Sequence, residues 1–220
     1  LQELALTPDA QQTALWLSRP MGRFELGVFA AHALRTATGA DVAFHKSNHI
    51  VRDILHPGLL DLNAVYRTGG ERGERLVQLD LTGREIEWYL QALPIGDWLP
   101  SNWSGFEGRY DANGTFSSDL DADRLYTVTM PEREWDDRFA RILRRSAQSP
   151  GDWPGVGPFD RDIRPQPISM TWLEAMASAL HEVQTRSAPF PDLVRQIAES
   201  TGQTFFLDEL RDPYLQGRRE

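Results

Sequence analysis

Basic side chains follow a short apolar run in the first quarter of the sequence. Residues 40–44 (Ala-Asp-Val-Ala-Phe) have the composition of a buried strand, and Lys46 and Arg52 come soon after it. A guanidinium group offers a planar, bidentate match to a phosphate, and an ammonium group adds a positive charge. The end of this strand is therefore a candidate anion site, although a solvated basic loop, whose charges meet only water, is the favoured interpretation.

Two histidines beside the same strand have a spacing that would suit a metal ion on a helix. His45 and His49 are four residues apart, and residues at that spacing share one helix face. Because these two follow a strand, a structural or loop role is favoured over metal binding.

Three aspartates farther along have the opening spacing of a calcium-binding loop. They are Asp119, Asp121 and Asp123, but the sixth position is Arg124 and the twelfth is Met130, where such a loop needs Gly and Glu. The sequence also has no Gly-rich phosphate loop followed by Lys and Ser or Thr, and no Gly-x-Ser-x-Gly nucleophile motif. A self-contained hydrolase is therefore the least favoured class of function.

Composition narrows the class of protein further. The chain has 220 residues, 40% of them hydrophobic, a net charge of -9 and no cysteine. Such a chain can bury a substantial core, has no disulfide or thiolate site, and is a poor match for nucleic acid, whose recognition rests on clustered Lys and Arg. No apolar stretch approaches the roughly 20 residues that span a bilayer. The chain begins at Leu1 rather than at Met, so we expect an upstream segment to have been removed.

The elements that position these residues follow from periodicity. Apolar spacing predicts a helix over 26–38, before the strand at 40–44. Residues 76–81 alternate apolar and polar side chains, which predicts a half-buried strand. Thr82 and Glu85 then have the spacing of a capping box, so a helix is predicted over 83–92.

Two more strands are predicted over 105–110 and 125–130, with a turn at Asn113-Gly114 between them. The second run alternates Tyr126, Val128 and Met130 with Thr127 and Thr129.

The composition changes to Pro, Gly, Asp and Arg over 146–167, where five prolines forbid regular structure across most of the stretch. Two helices are predicted after it, one over 171–185 that opens with a capping-box pattern and one from Pro191. We therefore expect a domain over 1–145, a linker over 146–167 and a helical appendage over 168–220.

Four blocks of sequence, in order, resemble the C-terminal, substrate-binding domain of the secreted 5′-nucleotidase family. The most specific is ATGADVAF at 37–44, which is similar to the family's helix-to-strand motif. The others are Val65-Tyr66 with LDLTG at 79–83, WSGFEGRYD at 103–111, and residues 120–129, similar to the family's LDPDKTYRVAT. The resemblance implies an α/β (α+β) fold, with a layered mixed sheet, flanking helices and a C-terminal helical appendage.

By this resemblance, residues 46–52 stand where the family has NSGGIR, whose Asn and Arg hold the nucleotide. Lys46, Asn48 and Arg52 are therefore candidate substrate-binding residues, with the arginine displaced by one position. The family's LPFGN motif, which carries one base-stacking ring, aligns with residues 71–74, where no aromatic stands.

The family's GGDGF motif aligns with residues 135–139, and this adds Trp135, Asp137 and Phe139 to the candidates. The three glycines of that motif are replaced, which removes the close backbone approach that glycine allows. Trp135 is a substitute for the lost stacking ring or, as the favoured alternative, a packed structural residue.

These comparisons of motifs predict a module that keeps the fold of the family but differs from it in the residues of the ligand pocket. We expect a non-catalytic binding or structural module, in a cell-envelope assembly, with the C-terminal helices as the surface for a protein partner. The alternative is the nucleotide-binding specificity domain of a phosphoesterase whose catalytic domain lies upstream or on another chain, the ligand being a nucleotide or nucleoside. The chain itself is expected to hold no cofactor, since the two divalent metals of the family belong to that catalytic domain. The resemblance implies a periplasmic, extracellular or cell-envelope location.

Overall fold

A computed structural model of the chain describes residues 15–46, 55, 58–60, 64, 73–93, 101–148, 161–184 and 189–204. Its strands are β1 Leu15–Leu17, β2 Val42–His45, β3 Gly58–Leu60, β4 Arg75–Thr82, β5 Asn102–Ser104, β6 Gly108–Tyr110, β7 Phe116–Ser118, β8 Leu125–Pro131 and β9 Gln166–Thr171. Its helices are α1 Arg23–Thr38, α2 Gly83–Ala92, α3 in three contiguous pieces (Glu132–Glu134, the π-helical Trp135–Phe139, and Ala140–Gln148), α4 Trp172–Gln184 and α5 Phe190–Ser200.

Five strands form the main sheet, in the order β5-β2-β8-β4-β9. Strands β2 and β8 are parallel, and the other neighbouring pairs are antiparallel. The smaller pairs β1-β3 and β6-β7 are both antiparallel. The predicted α/β fold, with a mixed sheet and flanking helices, is confirmed.

Strand β4 and helix α2 form where the sequence pattern predicts them, and their contacts show the reason. Val77 and Leu79 are buried on one face of the strand, whereas Asp80 is exposed. At the junction, Glu85 N donates to Thr82 Oγ1 at 3.2 Å, and Thr82 N donates to Glu85 Oε2 at 2.7 Å. This reciprocal capping box fixes the predicted start of the helix.

Helix α1 begins three residues before the predicted start at Leu26. Glu25 explains the difference, because its carboxylate accepts a hydrogen bond from Gly22 N at 3.1 Å and stabilises an earlier first turn. Gly39 ends the helix with φ 69°, a left-handed conformation that favours glycine.

The strand predicted over 105–110 is shorter in the structure, where only β6 at Gly108–Tyr110 falls within that range. The chain bends at Gly105, where φ is 109° and where an added Cβ would collide with the Asp41 carbonyl oxygen. Strand β5 before the bend joins the main sheet, and β6 after it forms a hairpin with β7. The hairpin turn contains Asn113 and Gly114, as predicted, and Asp111 Oδ1 accepts from Asn113 N at 2.8 Å.

The residues after Pro165 pack into the same structure as the rest of the chain. Strand β9 pairs with β4 at the edge of the main sheet, and α4 and α5 both pack on α1. Phe29 of α1 meets Phe190 of α5 edge to face, with ring centroids 4.7 Å apart. The division into a domain over 1–145, a linker and an appendage stays a prediction. Within the described ranges, no helix has the length and apolar character needed to cross a membrane.

Candidate functional site

Strand polarity brings several polar residues to one end of the sheet. The parallel strands β2 and β8 end side by side, so Lys46 after β2 lies near the start of α3 after β8. Strand β5 runs the other way and begins at the same end, with Asn102 opposite His45. We call this end of the sheet the carboxyl edge. In α/β sheets, it is the usual place for a ligand.

A buried hydrogen-bond network occupies the carboxyl edge. Glu134 Oε1 accepts from Tyr89 Oη at 3.0 Å and from Ser101 Oγ at 2.5 Å. Arg138 Nη1 donates to Ser101 Oγ at 3.0 Å. All four side chains are buried, and we call them the Glu134 network.

The π-helical piece of α3 follows Glu134 directly and carries Arg138. Its i→i+5 geometry is seen in the hydrogen bond from Ala140 N to Trp135 O. Glu134, directly before this turn, and Arg138, within it, both reach the network.

Burial dominates the electrostatics of the network. It raises the pKa of the Glu134 carboxyl, an effect that the positive charge of Arg138 partly offsets. Burial also raises the pKa of Tyr89 well above its ordinary value, with the Glu134 charge acting in the same direction. The hydrogen bonds to Glu134 Oε1 offset part of the cost of removing the carboxyl from water, whereas Glu134 Oε2 is buried without a hydrogen-bond partner.

Lys46 is the single lysine of the sequence, and its side chain is only 1% exposed. Burial, with the nearby Arg138 charge, lowers its pKa to about 8. Its Nζ lies 3.9 Å from Asp137 Oδ2, and Asp137 also accepts from Arg133 Nε at 3.0 Å. The buried ammonium group therefore faces a carboxylate whose side chain is 43% exposed.

The two aromatic candidates contact each other. The rings of Trp135 and Phe139 are stacked, with centroids 5.3 Å apart and planes 19° apart. Phe139 also packs on Tyr89 at 4.7 Å. Because the two rings are in direct contact, no third ring fits between them in this conformation.

The structure therefore brings together four of the six predicted site residues, namely Lys46, Trp135, Asp137 and Phe139. Asn48 and Arg52 lie outside the described residues. Sequence reasoning missed the Glu134 network, whose members come from a helix, a loop and α3. The available signal was the spacing of Glu134 and Arg138, four residues apart after a strand.

His45 is a second buried polar group at the end of β2. Its Nε2 accepts a hydrogen bond from Trp172 Nε1 at 2.9 Å, so the neutral ring carries its proton on Nδ1. Burial, with the Arg138 charge, lowers the pKa of His45 to about 3. The structural role of His45 stays a prediction. His49 lies outside the described residues.

The rim of the carboxyl edge is acidic. Burial raises the pKa of Glu74, and the nearby charges of Glu132, Asp137 and Asp136 raise it further. Arg133 lies among these carboxylates, with Arg133 Nε 3.0 Å from Asp137 Oδ2, and its backbone N–H donates to Glu74, which partly lowers the pKa of Glu74. The rim thus carries more negative than positive groups. Within the described ranges, no group of three or more His, Cys, Asp or Glu side chains is arranged to hold a metal ion.

A separate open groove of about 360 Å³ lies along the middle of β4 and β8. It is lined by the polar residues Gln78, Asp80 and Thr127 and by the segment 161–166. None of the four described candidate residues, Lys46, Trp135, Asp137 and Phe139, lines it.

Comparison with sequence models of protein families finds no match, and comparison with curated proteins finds none either. The fold is nevertheless similar to that of solved structures. A 5′-nucleotidase precursor from Thermus thermophilus superimposes with a TM-score of 0.56 and 16% identity, over 77% of this chain and 36% of that chain. The Haemophilus influenzae NAD nucleotidase gives a TM-score of 0.47 and 13% identity, over 73% of this chain and 30% of that one.

The chain thus spans about a third of the length of these structures. At this identity, the likeness concerns the fold and not the chemistry. The mixed sheet and its helices have a 5′-nucleotidase-like α/β fold.

Proposed function

We propose that this chain is a non-catalytic binding or structural module derived from a 5′-nucleotidase-like substrate-binding domain. The observation that supports the proposal is that the protein's own side chains fill the carboxyl edge. The Glu134 network fills the edge with buried side chains that hydrogen-bond to one another through Glu134 Oε1 and Ser101 Oγ, while Glu134 Oε2 has no hydrogen-bond partner. The Lys46 ammonium group is buried 3.9 Å from Asp137 Oδ2.

Electrostatics and packing both argue against a nucleotide at this edge. A phosphate would approach the acidic rim formed by Glu74, Glu132, Asp136 and Asp137. A base would find Trp135 already stacked on Phe139. Opening the edge would require breaking buried hydrogen bonds without replacing them, at a cost of about 1–3 kcal/mol for each group left unpaired.

Titration calorimetry with AMP, adenosine and a cyclic nucleotide tests this proposal. We expect no heat of binding and no change in melting temperature at millimolar ligand. Saturable binding would contradict it, and the site would then be located with Asp137→Asn and the surface control Arg144→Met. Loss of binding in the first variant alone would place the nucleotide at the carboxyl edge.

The second candidate function is the nucleotide-binding specificity domain of a phosphoesterase with its catalytic metals on another domain or chain. It is favoured by one observation, the convergence of Lys46, Asp137 and Trp135 at a sheet edge of the kind that binds ligands. Sequencing the gene upstream of Leu1 tests it. A two-metal phosphoesterase domain there would support this candidate, and its absence would favour the non-catalytic module.

A protein partner in a cell-envelope assembly is part of the first proposal. The apolar residues of α4 and α5, such as Leu180 and Val194, are buried inside the chain, so a partner would meet the polar faces of these helices. Cross-linking in native extracts tests the idea. Recovery of the chain only as a monomer would count against it.

A further inference from the structure

Three polar side chains lie together at the bottom of the groove along β4 and β8. Gln78 and Asp80 are two residues apart on β4, so they lie on the same face, away from the buried Leu79. Thr127 of β8 is directly opposite Asp80 in the antiparallel pairing, which places their Cβ atoms about 5 Å apart. The groove thus brings together one amide, one carboxylate and one hydroxyl group.

One wall of the groove is the segment 161–166, which we call the arch and which is anchored at both ends. At its start, Arg161 Nη2 donates to the backbone oxygen of Asp80 at 2.7 Å and to Glu85 Oε2 at 2.5 Å. At its end, Gln166 pairs with β4 as the first residue of β9. The groove is therefore formed by the protein alone, and a ligand would not have to order the arch in order to bind.

The protein itself does not use the three polar side chains at the bottom of the groove. Within the described ranges, the side chains of Gln78, Asp80 and Thr127 form no hydrogen bond or ion pair with another residue. The backbones of β4 and β8 pair with each other beneath the groove, so a ligand would meet side chains and not free peptide groups. Donors and acceptors within reach of one small molecule are thus available.

The charges around the groove are paired except at Asp80. Arg161 is paired with Glu85, and Arg164 lies 2.5 Å from Asp162. Among the described lining residues, the carboxylate of Asp80 is the charge that remains. It disfavours phosphate and other anions, and one carboxylate falls short of the set of oxygen ligands that Ca²⁺ or Mg²⁺ needs. A neutral ligand rich in hydroxyl groups matches these side chains.

We propose that the groove binds a sugar unit, with the Asp80 carboxylate accepting hydrogen bonds from two adjacent hydroxyl groups of the ring. The two oxygens of a carboxylate can accept from two donors at once. The amide of Gln78 and the hydroxyl of Thr127 can each donate and accept, as the hydroxyl groups of a sugar do.

The size and position of the groove agree with a separate site for a small ligand. Its volume of about 360 Å³ is at the lower end of the range for ligand pockets, about 300–1,000 Å³. Its described lining residues include no member of the Glu134 network and not Lys46. Binding of a sugar here is therefore independent of whether the carboxyl edge binds a nucleotide.

The test is an NMR titration of the ¹⁵N-labelled full-length protein with glucose, galactose, mannose and N-acetylglucosamine. We expect at least one of these sugars to cause saturable shifts of amide signals in β4, β8 and the arch, with a dissociation constant on the order of 1 mM. Asp80→Asn keeps the shape of the side chain but loses one acceptor and the charge, so the affinity should fall about tenfold. The control Asp192→Asn, which changes an exposed aspartate of α5, should bind as the wild type does.

The absence of saturable shifts with all four sugars would overturn the proposal, and so would shifts confined to residues outside the groove. An affinity that Asp80→Asn leaves unchanged would contradict the role of the carboxylate. Sulfate that shifts the same signals at the same concentration would show an anion site in its place. If the spectrum of D80N shows that it is unfolded, Thr127→Val decides the question, with an expected loss of affinity of about threefold and an unchanged affinity as the contradicting result.

Discussion

The Lys46 ammonium nitrogen lies 3.9 Å from a carboxylate oxygen of Asp137. This contact joins the end of β2 to the π-helical turn of α3. Lys46 is buried beneath this contact, whereas the Asp137 side chain is partly exposed. The pair therefore supports a carboxyl edge that is filled by the protein's own side chains, which we call the closed carboxyl edge.

Replacing Lys46 by methionine should stabilise the protein at neutral pH. The pKa of Lys46 is lowered from 10.5 to about 8, so between these values the unfolded chain binds more protons than the folded one, and stability rises with pH. Urea unfolding at pH 7 should show Lys46→Met more stable by on the order of 1–3 kcal/mol. The gain should shrink as pH rises from 8 to 10.5. A pH-independent difference would show that the ammonium group is not desolvated.

His45 should contribute to acid unfolding. Its pKa is lowered from 6.5 to about 3. The neutral ring therefore makes its full contribution to the free energy of unfolding above pH 6.5, and this contribution is lost as pH falls toward 3, at up to about 1.4 kcal/mol per pH unit. The variant His45→Gln keeps an acceptor for Trp172 Nε1 but does not titrate. The unfolding free energies of the two proteins should converge as pH falls from 6.5 to 4. Parallel pH profiles would rule out this role.

Glu134 and Arg138 should behave as a coupled pair. Arg138→Met leaves a buried carboxylate without its nearby positive charge and should cost about 3–5 kcal/mol. The double variant with Glu134→Gln should recover part of that loss, because the remaining group is neutral. Arg144→Met, on the exposed face of α3, should change stability by less than about 0.5 kcal/mol. Additive losses in the double variant would contradict a single network.

Gly105→Ala should be more damaging than Gly114→Ala. Both glycines have a positive φ, 109° and 80°, but only at Gly105 would the added methyl meet backbone, the carbonyl of Asp41. We expect a loss of about 1 kcal/mol at Gly114 from conformation alone and about 2–4 kcal/mol at Gly105. Thermal unfolding of the two variants measures the difference. Equal losses would mean that the bend after β5 accommodates a side chain.

The elements predicted correctly are those whose position depends on hydrogen bonds and apolar patterns within a few residues of the chain. The Thr82–Glu85 capping box fixed the start of α2, and alternation in residues 76–81 identified β4. The edge strand β9 was missed because Gln166–Thr171 is largely exposed and follows several prolines. Helix α3 was missed because its first residues are mostly charged.

The residues of the candidate site were only partly predictable, because some of them meet only through contacts between distant segments of the chain. Lys46, Trp135, Asp137 and Phe139 were found through motif resemblance. Tyr89, Ser101, Glu134 and Arg138 come together only through tertiary packing. No periodicity in the sequence indicates that a glutamate and an arginine four residues apart face the interior and not solvent.

The most direct test of the closed carboxyl edge uses the single lysine. Protein labelled with ¹⁵N at lysine Nζ gives one side-chain amine signal, which can be followed by NMR as a function of pH with and without AMP. The closed edge predicts a midpoint at about 8 that millimolar AMP does not move. A midpoint near the ordinary lysine value of about 10.4, or a shift of the signal on addition of AMP, would contradict it.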